Sequence, residues 1–554
     1  MRNIALLFFL PLFLFLFSSF TIAPLTIWGL DQCVIYSLTY KTLSTLIIPA
    51  HGTVSSLGTL FPPGMIWFAL PFVAFFKNIV HLSIALMATH AIILLICFFV
   101  ILRRLDKTYL LNKFAYLAAT LYLIFDISLL LTSGNLWEQY VVRTLLILLA
   151  TFVFLSIVSG RRIYCMFSGY FMLFVPAIHP LQAIFIPIIF IFFSLLAVLR
   201  KIHLSQYIWF LIGTAICFLQ AWLIWIFNDN SLINSLRNFG DYSWLGTITP
   251  YLRCVPLALQ EWGKILLSPT AGTVLHLQDL PIPAIGSPFN FLTAKYIAFL
   301  RTFFVILTSS WALFGVIRYC VFCGNSSKLH KLDNSPRGAF ALVFIYGICL
   351  VSFLILILVG IMPYAQRPDY GGQFLGLCNF ATAIGIYYLL RRDPESRVVS
   401  LRRPLVLGAL IATIIMAVIL IFEINRDVRK PDYFFFALIP ADEKMSIVNT
   451  IVRNSKKESK TKTYAYSLQL DPGLPTQTQP KWLTLSERFY TPHMLFDILF
   501  KRLGGRLSYV EIVKNPNYVI SGPPKIFPEQ LKRKEYNKIY QGSYLTVWKY
   551  SSPQ

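Results

Sequence analysis

The sequence predicts a polytopic α-helical membrane protein of about eleven transmembrane helices, with juxtamembrane helices in its first external loop and a small external α/β domain at its C-terminal end. Hydrophobic residues make up 57% of the 554 positions and charged residues only 13%, which is more apolar surface than a soluble core buries. The apolar residues form runs of about 15 to 25, enough to cross a hydrocarbon layer of about 30 Å. After residue 424 these runs shorten and charges become frequent.

The transmembrane region is predicted to occupy residues 1–424, and it includes a first external loop at 29–79 and a long external loop at 228–292. The first span is interpreted as a retained helix and not as a signal peptide, because its apolar run is long and no small-residue cleavage pattern closes it. The predicted spans are 4–28, 80–102, 114–131, 140–158, 163–177, 181–199, 207–227, 296–317, 339–361, 374–390 and 404–424.

The segment 59–76, TLFPPGMIWFALPFVAFF, has no charge and the length of a crossing, but it contains three prolines. Short cytoplasmic loops collect Lys and Arg, and the Arg pairs fall on one side only if this segment does not cross. We therefore expect an interfacial helix on the external side, with a re-entrant loop as the alternative. The Lys/Arg clusters that decide this are 103–107, 161–162, 200–201, 318–337 and 391–403.

Residues 425–554 read as one soluble α/β domain. Apolar periodicity predicts helices at 441–457 and 492–503, and strands at 463–469, 517–521 and twice within 536–550. After eleven crossings this domain lies outside, with the N-terminus in the cytoplasm. A bacterial inner membrane with a periplasmic domain is the expected location; an endoplasmic reticulum membrane gives the same topology.

The formal net charge of +24 is shared between the predicted cytoplasmic loops and the C-terminal domain. Topology determinants and a solvated face explain it, and attraction to anionic lipid phosphates is the functional alternative. An external domain argues against a nucleic-acid partner. No phosphate-binding loop, dinucleotide fingerprint, metalloprotease motif or nucleophile elbow occurs, so any chemistry depends on scattered acids and bases at the outer face.

The first such acid is Asp31, directly beyond the first span, with Tyr36 and Tyr40 on one side of a possible helix. A helix-capping or interfacial carboxylate is the plainer interpretation of Asp31 alone. Its context adds His51-Gly52, then Phe61-Pro62-Pro63 opening the interfacial segment. Further on, short external turns carry Glu138 and His179, and a strand is predicted at 517–521.

In this order, these features resemble the GT-C class of membrane glycosyltransferases, such as the aminoarabinose transferases and protein mannosyltransferases. The resemblance covers most of the chain through short motifs. Many members have a second acid where Gln32 follows Asp31, a Leu where this chain has Gly64, and a Lys where it has His179. The resemblance leaves a divalent cation open as a cofactor, and no metal ligand is assigned.

The resemblance implies inverting transfer of a sugar from a polyprenyl-phosphate donor to a glycan, lipid or protein acceptor at the outer face, with membrane lipids as further partners. Asp31 is then the general base. Cations hold the departing phosphate. The residues assigned to substrate binding are Tyr36, Glu138, Arg143, His179, Arg253, Lys264 and Arg367.

Two charges fall inside spans, Asp126 near the outer end of the third and Arg143 at similar depth in the fourth. A structural ion pair is one interpretation, and binding of the donor phosphate by Arg143 is the other. The competing function is a transporter or lipid flippase without covalent chemistry, although no internal repeat or pair of broken spans supports it. A scaffold that presents the C-terminal domain is a third hypothesis.

Overall fold

The structure is a computed structural model, and it describes a large part of the chain. The described residues are 2–26, 28, 30–53, 61–105, 112–126, 129–130, 133–227, 288–323, 347, 368–391, 402–428, 440–455, 462–468, 493–510, 516–522, 535–542 and 545–551.

Most of the described chain up to residue 428 is helical. Its helices are α1 (Arg2–Ile22), α2 (Leu30–Thr45), α3 (Gly64–Phe75), α4 (Ile79–Leu105), α5 (Lys113–Ile124), α6 (Glu138–Ser159), α7 (Arg162–Ile178), α8 (Phe185–Val198), α9 (Leu204–Phe227), α10 (Pro288–Cys323), α11 (Pro368–Leu390) and α12 (Arg402–Val428). Short 3-10 helices follow α1 at Ala23–Leu25 and precede α8 at Pro180–Ile184, and α9 contains a π-helical turn at Phe218–Trp222.

Helices occupy ten of the eleven predicted spans, and the remaining one, 339–361, lies outside the described residues apart from residue 347. Within the described chain, four helices are long and apolar enough to cross a membrane: Ile79–Leu105, Glu138–Ser159, Leu204–Phe227 and Tyr296–Gly315. The other apolar helical stretches are shorter. By helix length and composition this is an integral membrane protein.

Helix α3 corresponds to the proline-containing segment 59–76. It has 12 residues, begins directly after Pro63 and ends before an extended Phe76. At a rise of about 1.5 Å per residue it is about 18 Å long. That is shorter than the hydrocarbon layer of about 30 Å, as is α5 with the same number of residues, and the interfacial placement of α3 stays a prediction. One face of α3 is buried, and Phe75 on its other side is 81% exposed.

Helix α6 is the most enclosed of the four long helices, with 78% of its apolar window buried, and it packs against α4, α7 and α11. Helix α7 in turn packs closely on α9. A Cβ on Gly169 or on Gly213 would overlap the backbone of the opposite helix. Small residues permit this close approach of membrane helices. Helices α6 and α7 are thus closely packed against their neighbours, and the candidate site lies at the start of α6 and the end of α7.

The C-terminal part carries a five-stranded sheet with strand order β2-β1-β3-β5-β4. Strand β1 runs parallel to β2 and β3, whereas β5 runs antiparallel to β3 and β4. The elements are α13 (Ala441–Ser455), β1 (Lys462–Leu468), α14 (His493–Arg502), β2 (Leu507–Tyr509), β3 (Tyr518–Gly522), β4 (Tyr536–Gln541) and β5 (Thr546–Tyr550). Every helix and strand predicted here is present; β2 is the addition.

The amphipathic pattern of α13 places its apolar side against the rest of the protein. Ile447, Val448 and Ile451 recur at helical spacing and are completely buried. The same helix begins beside the end of α1, because the Ala441 amide donates to the Thr26 carbonyl at 3.2 Å. The C-terminal elements therefore contact the chain that leads into α2. Their assignment as a separate domain outside the membrane stays a prediction.

Candidate functional site

The first predicted external loop is closed by its own backbone. The Gly52 amide donates to the Phe61 carbonyl at 2.6 Å, and the Phe61 amide donates to the Thr53 carbonyl at 2.9 Å. These two bonds join the ends of segment 54–60, which lies outside the described residues. They hold Gly52 and Thr53 beside Pro62 at the start of α3.

Thr53 connects this loop to the beginning of α6. Its hydroxyl donates to Glu138 Oε1 at 2.6 Å, and both side chains are buried, at 6% and 4% exposure. Glu138 is the first residue of α6, where the partial positive charge of the helix N-terminus stabilises a carboxylate. The sequence predicted a site role for Glu138; it gave no sign that Thr53 would be its partner, because the two residues are 85 positions apart.

His179 lies at the end of α7, on the other side of the same loop. Its ring contacts the ring of Phe61, with centroids 6.0 Å apart. Next to it, a Cβ on Gly64 would lie 2.7 Å from the Ala177 carbonyl oxygen. Real Cβ atoms do not approach so closely, so only glycine lets the start of α3 pack on the end of α7. This contact gives a physical reason for the glycine at position 64.

Burial controls the charge of His179. Its side chain is only 4% exposed, and loss of hydration lowers the pKa of this imidazole to about 3. The ring is therefore neutral at pH 7. His179 can take part in hydrogen bonding to a phosphate or a sugar hydroxyl, but it does not supply the fixed positive charge that a lysine would supply at this position.

Two amide side chains near Glu138 are also buried. Asn135 and Gln139 are 1% and 3% exposed. Both polar atoms of the Asn135 amide and the Oε1 of Gln139 have no hydrogen-bond partner among the described residues. Buried amides without partners are rare in proteins, and they are costly in an apolar helix bundle. Sequence reasoning missed both residues; their occurrence beside Glu138 in SGNLWEQ was the only available signal.

We call Thr53, Asn135, Glu138, Gln139 and His179 the polar cluster. Three separate segments supply it: the first external loop, the start of α6 and the turn after α7. Thr53 reaches Glu138 directly, and Phe61, which is bonded to Thr53, reaches His179. Asn135 and Gln139 belong to the cluster by their places in the chain beside Glu138. Hydrogen-bonding side chains of these kinds can bind a hydroxyl-rich or phosphorylated ligand.

Arg143 lies on α6 four residues, about one turn, beyond Gln139 of the polar cluster. Its guanidinium carbon is 5.0 Å from the centroid of the Tyr140 ring, and the side chain is 6% exposed. The guanidinium also interacts electrostatically with His90 of α4, whose Nδ1 is 2.8 Å from Thr144 Oγ1. Buried basic residues at membrane depth are rare and typically functional.

Asp126 and Arg143 face neighbouring turns of α11. Asp126 Oδ2 accepts a hydrogen bond from Asn379 at 2.9 Å, and a Cβ on Gly376 would lie 3.3 Å from the Arg143 Cβ. Gly376 and Asn379 are three positions apart and thus on one side of α11. Asp126 also interacts electrostatically with Arg301 of α10. Its direct pairing with Arg143 stays a prediction.

Asp31 is the second residue of α2, and the structure describes its backbone only. Tyr36, in the same helix, is completely buried. Its hydroxyl accepts a hydrogen bond from Arg502 Nη1 at 2.6 Å, and its ring lies edge-on to Trp28 with centroids 5.6 Å apart. Burial raises the pKa of Tyr36. The structure thus joins Tyr36 to the C-terminal region, which sequence reasoning had not predicted.

The three remaining predicted binding residues, Arg253, Lys264 and Arg367, lie outside the described residues. Within the part of the chain that is described, no three His, Cys, Asp or Glu side chains come together as a metal-binding group. The candidate site is therefore described by Thr53, Glu138 and their neighbours, and by the backbone position of Asp31.

No known family model matches the sequence. A search of curated proteins likewise finds no match. Among solved structures, the protein is similar to ArnT from Cupriavidus metallidurans bound to undecaprenyl phosphate, with 12% identity, a TM-score of 0.40 and 99% of both chains covered. It is also similar to the apo state of that ArnT, with 12% identity, a TM-score of 0.38, and 100% of this chain and 99% of the other covered.

Proposed function

We propose that this protein transfers a sugar, a hexose or a pentose, from a polyprenyl-phosphate donor to an acceptor hydroxyl at the outer face of a membrane, with inversion at the sugar carbon. The supporting observation is the hydrogen bond of 2.6 Å between Thr53 and Glu138, together with the Phe61–His179 contact at 6.0 Å. These contacts join three short segments that the family resemblance had singled out separately. Their convergence is what a site at one end of the helix bundle requires.

The chemical character of the polar cluster fits such a donor. A polyprenyl chain stays in the hydrocarbon layer, so its phosphate and sugar lie at the membrane boundary. There the sugar needs hydrogen-bonding partners, and the buried amides of Asn135 and Gln139 are groups of that kind. Glu138 accepts the hydrogen bond from Thr53 in the same polar cluster, and we assign Glu138 to sugar binding.

The phosphate requires positive charge as it leaves. Arg143 is the described candidate, because its guanidinium is permanently charged and lies on the same helix as Glu138. Arg253, Lys264 and Arg367 are further candidates from the sequence. His179 contributes as a neutral hydrogen-bonding group, since burial lowers its pKa to about 3. Tyr36 of α2 is a further candidate from the sequence, and its hydroxyl is bonded to Arg502.

Asp31 is the proposed general base. Its carboxylate takes the proton of the acceptor hydroxyl while that oxygen attacks the sugar carbon, and the bond from this carbon to the phosphate oxygen breaks. The attack comes from the face opposite the departing phosphate, so the configuration inverts. Positioned proton transfer of this type contributes about 10² to 10⁴ to the rate. The acceptor can be a glycan, a lipid or a protein, and we expect a bacterial inner membrane with its periplasmic face as the location.

The test is sugar transfer in reconstituted vesicles. We would supply polyprenyl-phosphate donors with labelled hexoses and pentoses and compare the wild type with the Asp31→Asn variant. The amide keeps the size of the side chain but cannot accept the proton, so turnover should fall about 10² to 10⁴-fold. Glu535→Gln is the matched control, because it removes a carboxylate directly before β4 of the C-terminal sheet.

Two results would contradict the proposal. Equal turnover of wild type and Asp31→Asn would remove Asp31 from the mechanism. A wild type that transfers no sugar from any donor, while moving labelled lipid across the bilayer, would establish the transporter alternative in its place.

A further inference from the structure

Two basic side chains of the C-terminal region reach the membrane-region helix that carries Asp31. Lys444 is in the first turn of α13, and Arg502 is the last residue of α14. Both make hydrogen bonds to residues more than 400 positions earlier in the chain. Because the two cations come from different helices, the C-terminal region contacts α2 and the chain just before it at two separate points.

Lys444 fixes the chain just before α2. Its side chain is completely buried, and its ammonium group donates to the Trp28 carbonyl at 2.5 Å. The neighbouring backbone bond from Ala441 to the Thr26 carbonyl, at 3.2 Å, acts on the same stretch. Thr26 and Trp28 lie outside α1 and α2, so their carbonyls accept hydrogen bonds from outside the helical backbone pattern. The Trp28 carbonyl also accepts a weak hydrogen bond from the Cys33 thiol at 3.9 Å. The entry to α2 is thus held by α13.

Arg502 joins α2 to α3. One guanidinium nitrogen donates to the Tyr36 hydroxyl at 2.6 Å, and the other donates to the Val73 carbonyl of α3. The guanidinium carbon also lies 5.6 Å from the centroid of the Tyr36 ring and 5.5 Å from that of Tyr40. Two tyrosine rings and two hydrogen bonds define a single orientation for this cation, because the guanidinium donors form a rigid planar fork.

Asp31 lies between these two attachments. It follows Trp28 by three positions and precedes Tyr36 by five, so one attachment is before α2 and the other is little more than a turn beyond Asp31. Rotation or translation of this first part of α2 would break one attachment or the other. Removing the Lys444 ammonium group from water raises the free energy of the folded protein. Complete burial of this cation therefore argues for a role beyond a structural contact.

We propose that Lys444 and Arg502 are positioning residues, through which the C-terminal region holds α2, and with it Asp31, in the orientation that the reaction requires. This inference rests on the proposed function for its catalytic consequence. The attachment itself concerns only α2 and its neighbours. Proton transfer depends steeply on geometry, and a displacement of about 1 Å can lower a rate about 10²-fold.

The experiment uses the full chain with Arg502→Gln and Lys444→Met. Amide hydrogen exchange of residues 30–45 would be measured without donor, and kcat and KM would be measured in vesicles with the donor that the wild type uses. Lys501→Gln is the matched control for Arg502, because Lys501 is exposed on the same helix, and exposed Arg453→Gln is the control for Lys444 on α13.

We expect both test variants to exchange the amides of α2 at least about tenfold faster, as the loss of one charge-assisted bond predicts. We expect kcat to fall about 10² -fold and KM to change little, because the donor-binding residues remain. The controls should match the wild type. The milder Arg502→Lys variant keeps a cation that can reach one partner, so it should fold and restore part of kcat.

Unchanged exchange of α2 in Arg502→Lys and in both test variants would overturn the inference. Faster exchange with unchanged kcat would overturn it as well, because α2 would then be free to move without consequence for the reaction. Failure of the proposed function is seen separately, as equal turnover by wild type and Asp31→Asn. Amide hydrogen exchange is measured without the sugar donor, so it tests the attachment of α2 to the C-terminal region even if the proposed function fails.

Discussion

Lys444 has an unusual environment for a lysine in the described part of the C-terminal region. It is completely buried, and this burial lowers the pKa of its ammonium group to about 8. Cys33 and Glu443 interact with it electrostatically and oppose the shift. Glu443 is itself held, because its Oε1 accepts a hydrogen bond from the Leu545 amide at 2.8 Å. A lysine with these neighbours makes stability depend on pH in the alkaline range.

The sign of that dependence follows from the two protonation states. Lys444 has a pKa of about 8 when folded and 10.5 when exposed, so between these values the unfolded chain binds an additional proton. Stability therefore rises with pH across this window, and the full cost of the buried charge applies below about pH 8. The rise is limited to about 3 kcal/mol by the size of the shift.

We expect denaturant titrations in detergent to give a free energy of unfolding that increases between about pH 8 and about pH 10.5 in the wild type. The Lys444→Met variant lacks this group, so its increase over the same range should be smaller by up to about 3 kcal/mol. Other lysines and tyrosines titrate in both proteins, and the difference between the two curves removes them. Parallel curves would contradict a depressed pKa at Lys444.

At the scale of single elements, the start of α3 depends on one glycine. Gly64 is the first residue of α3, and three backbone atoms of Ala177 and Ile178 lie within 2.8 Å of the place where its Cβ would be. Backbone atoms cannot rotate away as side chains do. The end of α7 and the beginning of α3 can therefore meet only without a side chain at this position.

Gly64→Ala should consequently separate α3 from α7 and disturb the Phe61–His179 contact. We expect a loss of stability of about 1 to 3 kcal/mol, which is typical of overpacking at a close contact, and a lower apparent melting temperature in detergent. Gly408→Ala in α12 is the matched control, because nothing lies within 4 Å of its Cβ position. That change should be neutral or slightly stabilising, since alanine favours helices. Equal effects of the two changes would rule out the predicted steric conflict.

Elements with a strong local pattern could be predicted from the sequence. The spacing of Ile447, Val448 and Ile451 predicted α13, and Tyr36 with Tyr40 indicated a helix at α2, where the structure has one. Strand β2 was missed because three residues, Leu507–Tyr509, are too short to show an alternating pattern. Its position depends instead on pairing with β1, which is a contact between distant segments.

At the scale of the whole molecule, the same limit applies to the candidate site. Glu138 and His179 were identified by a family resemblance, which reports positions along a chain. Their connection through Thr53 and Phe61 requires the fold. The attachment of Arg502 to Tyr36 spans 466 positions, and that of Lys444 to Trp28 spans 416. Sequence periodicity carries no information about which distant segments will meet. The contacts of Thr53, Lys444 and Arg502 therefore could not be predicted.

The remaining whole-molecule prediction is the orientation of the chain in the membrane. The Arg pairs predict a cytoplasmic turn after α8, and the predicted eleven crossings then put the C-terminal sheet on the opposite side. Lys538 in β4 and Arg200 after α8 are both exposed and suit accessibility labelling. Five native cysteines, Cys33, Cys97, Cys165, Cys217 and Cys378, are buried, which limits background reaction at these positions.

We expect a membrane-impermeant maleimide to label the Lys538→Cys variant in intact bacterial cells, and to label the Arg200→Cys variant only after the cells are permeabilised. The parent protein, which carries neither added cysteine, gives the background. Labelling of both variants in intact cells would mean that the two positions share a side, so an odd number of crossings between α8 and the C-terminal sheet would be excluded. Labelling of the Lys538→Cys variant only after permeabilisation would place the C-terminal sheet in the cytoplasm. The site would then lose its outer location, because Lys444 and Arg502 join α2 to the C-terminal region.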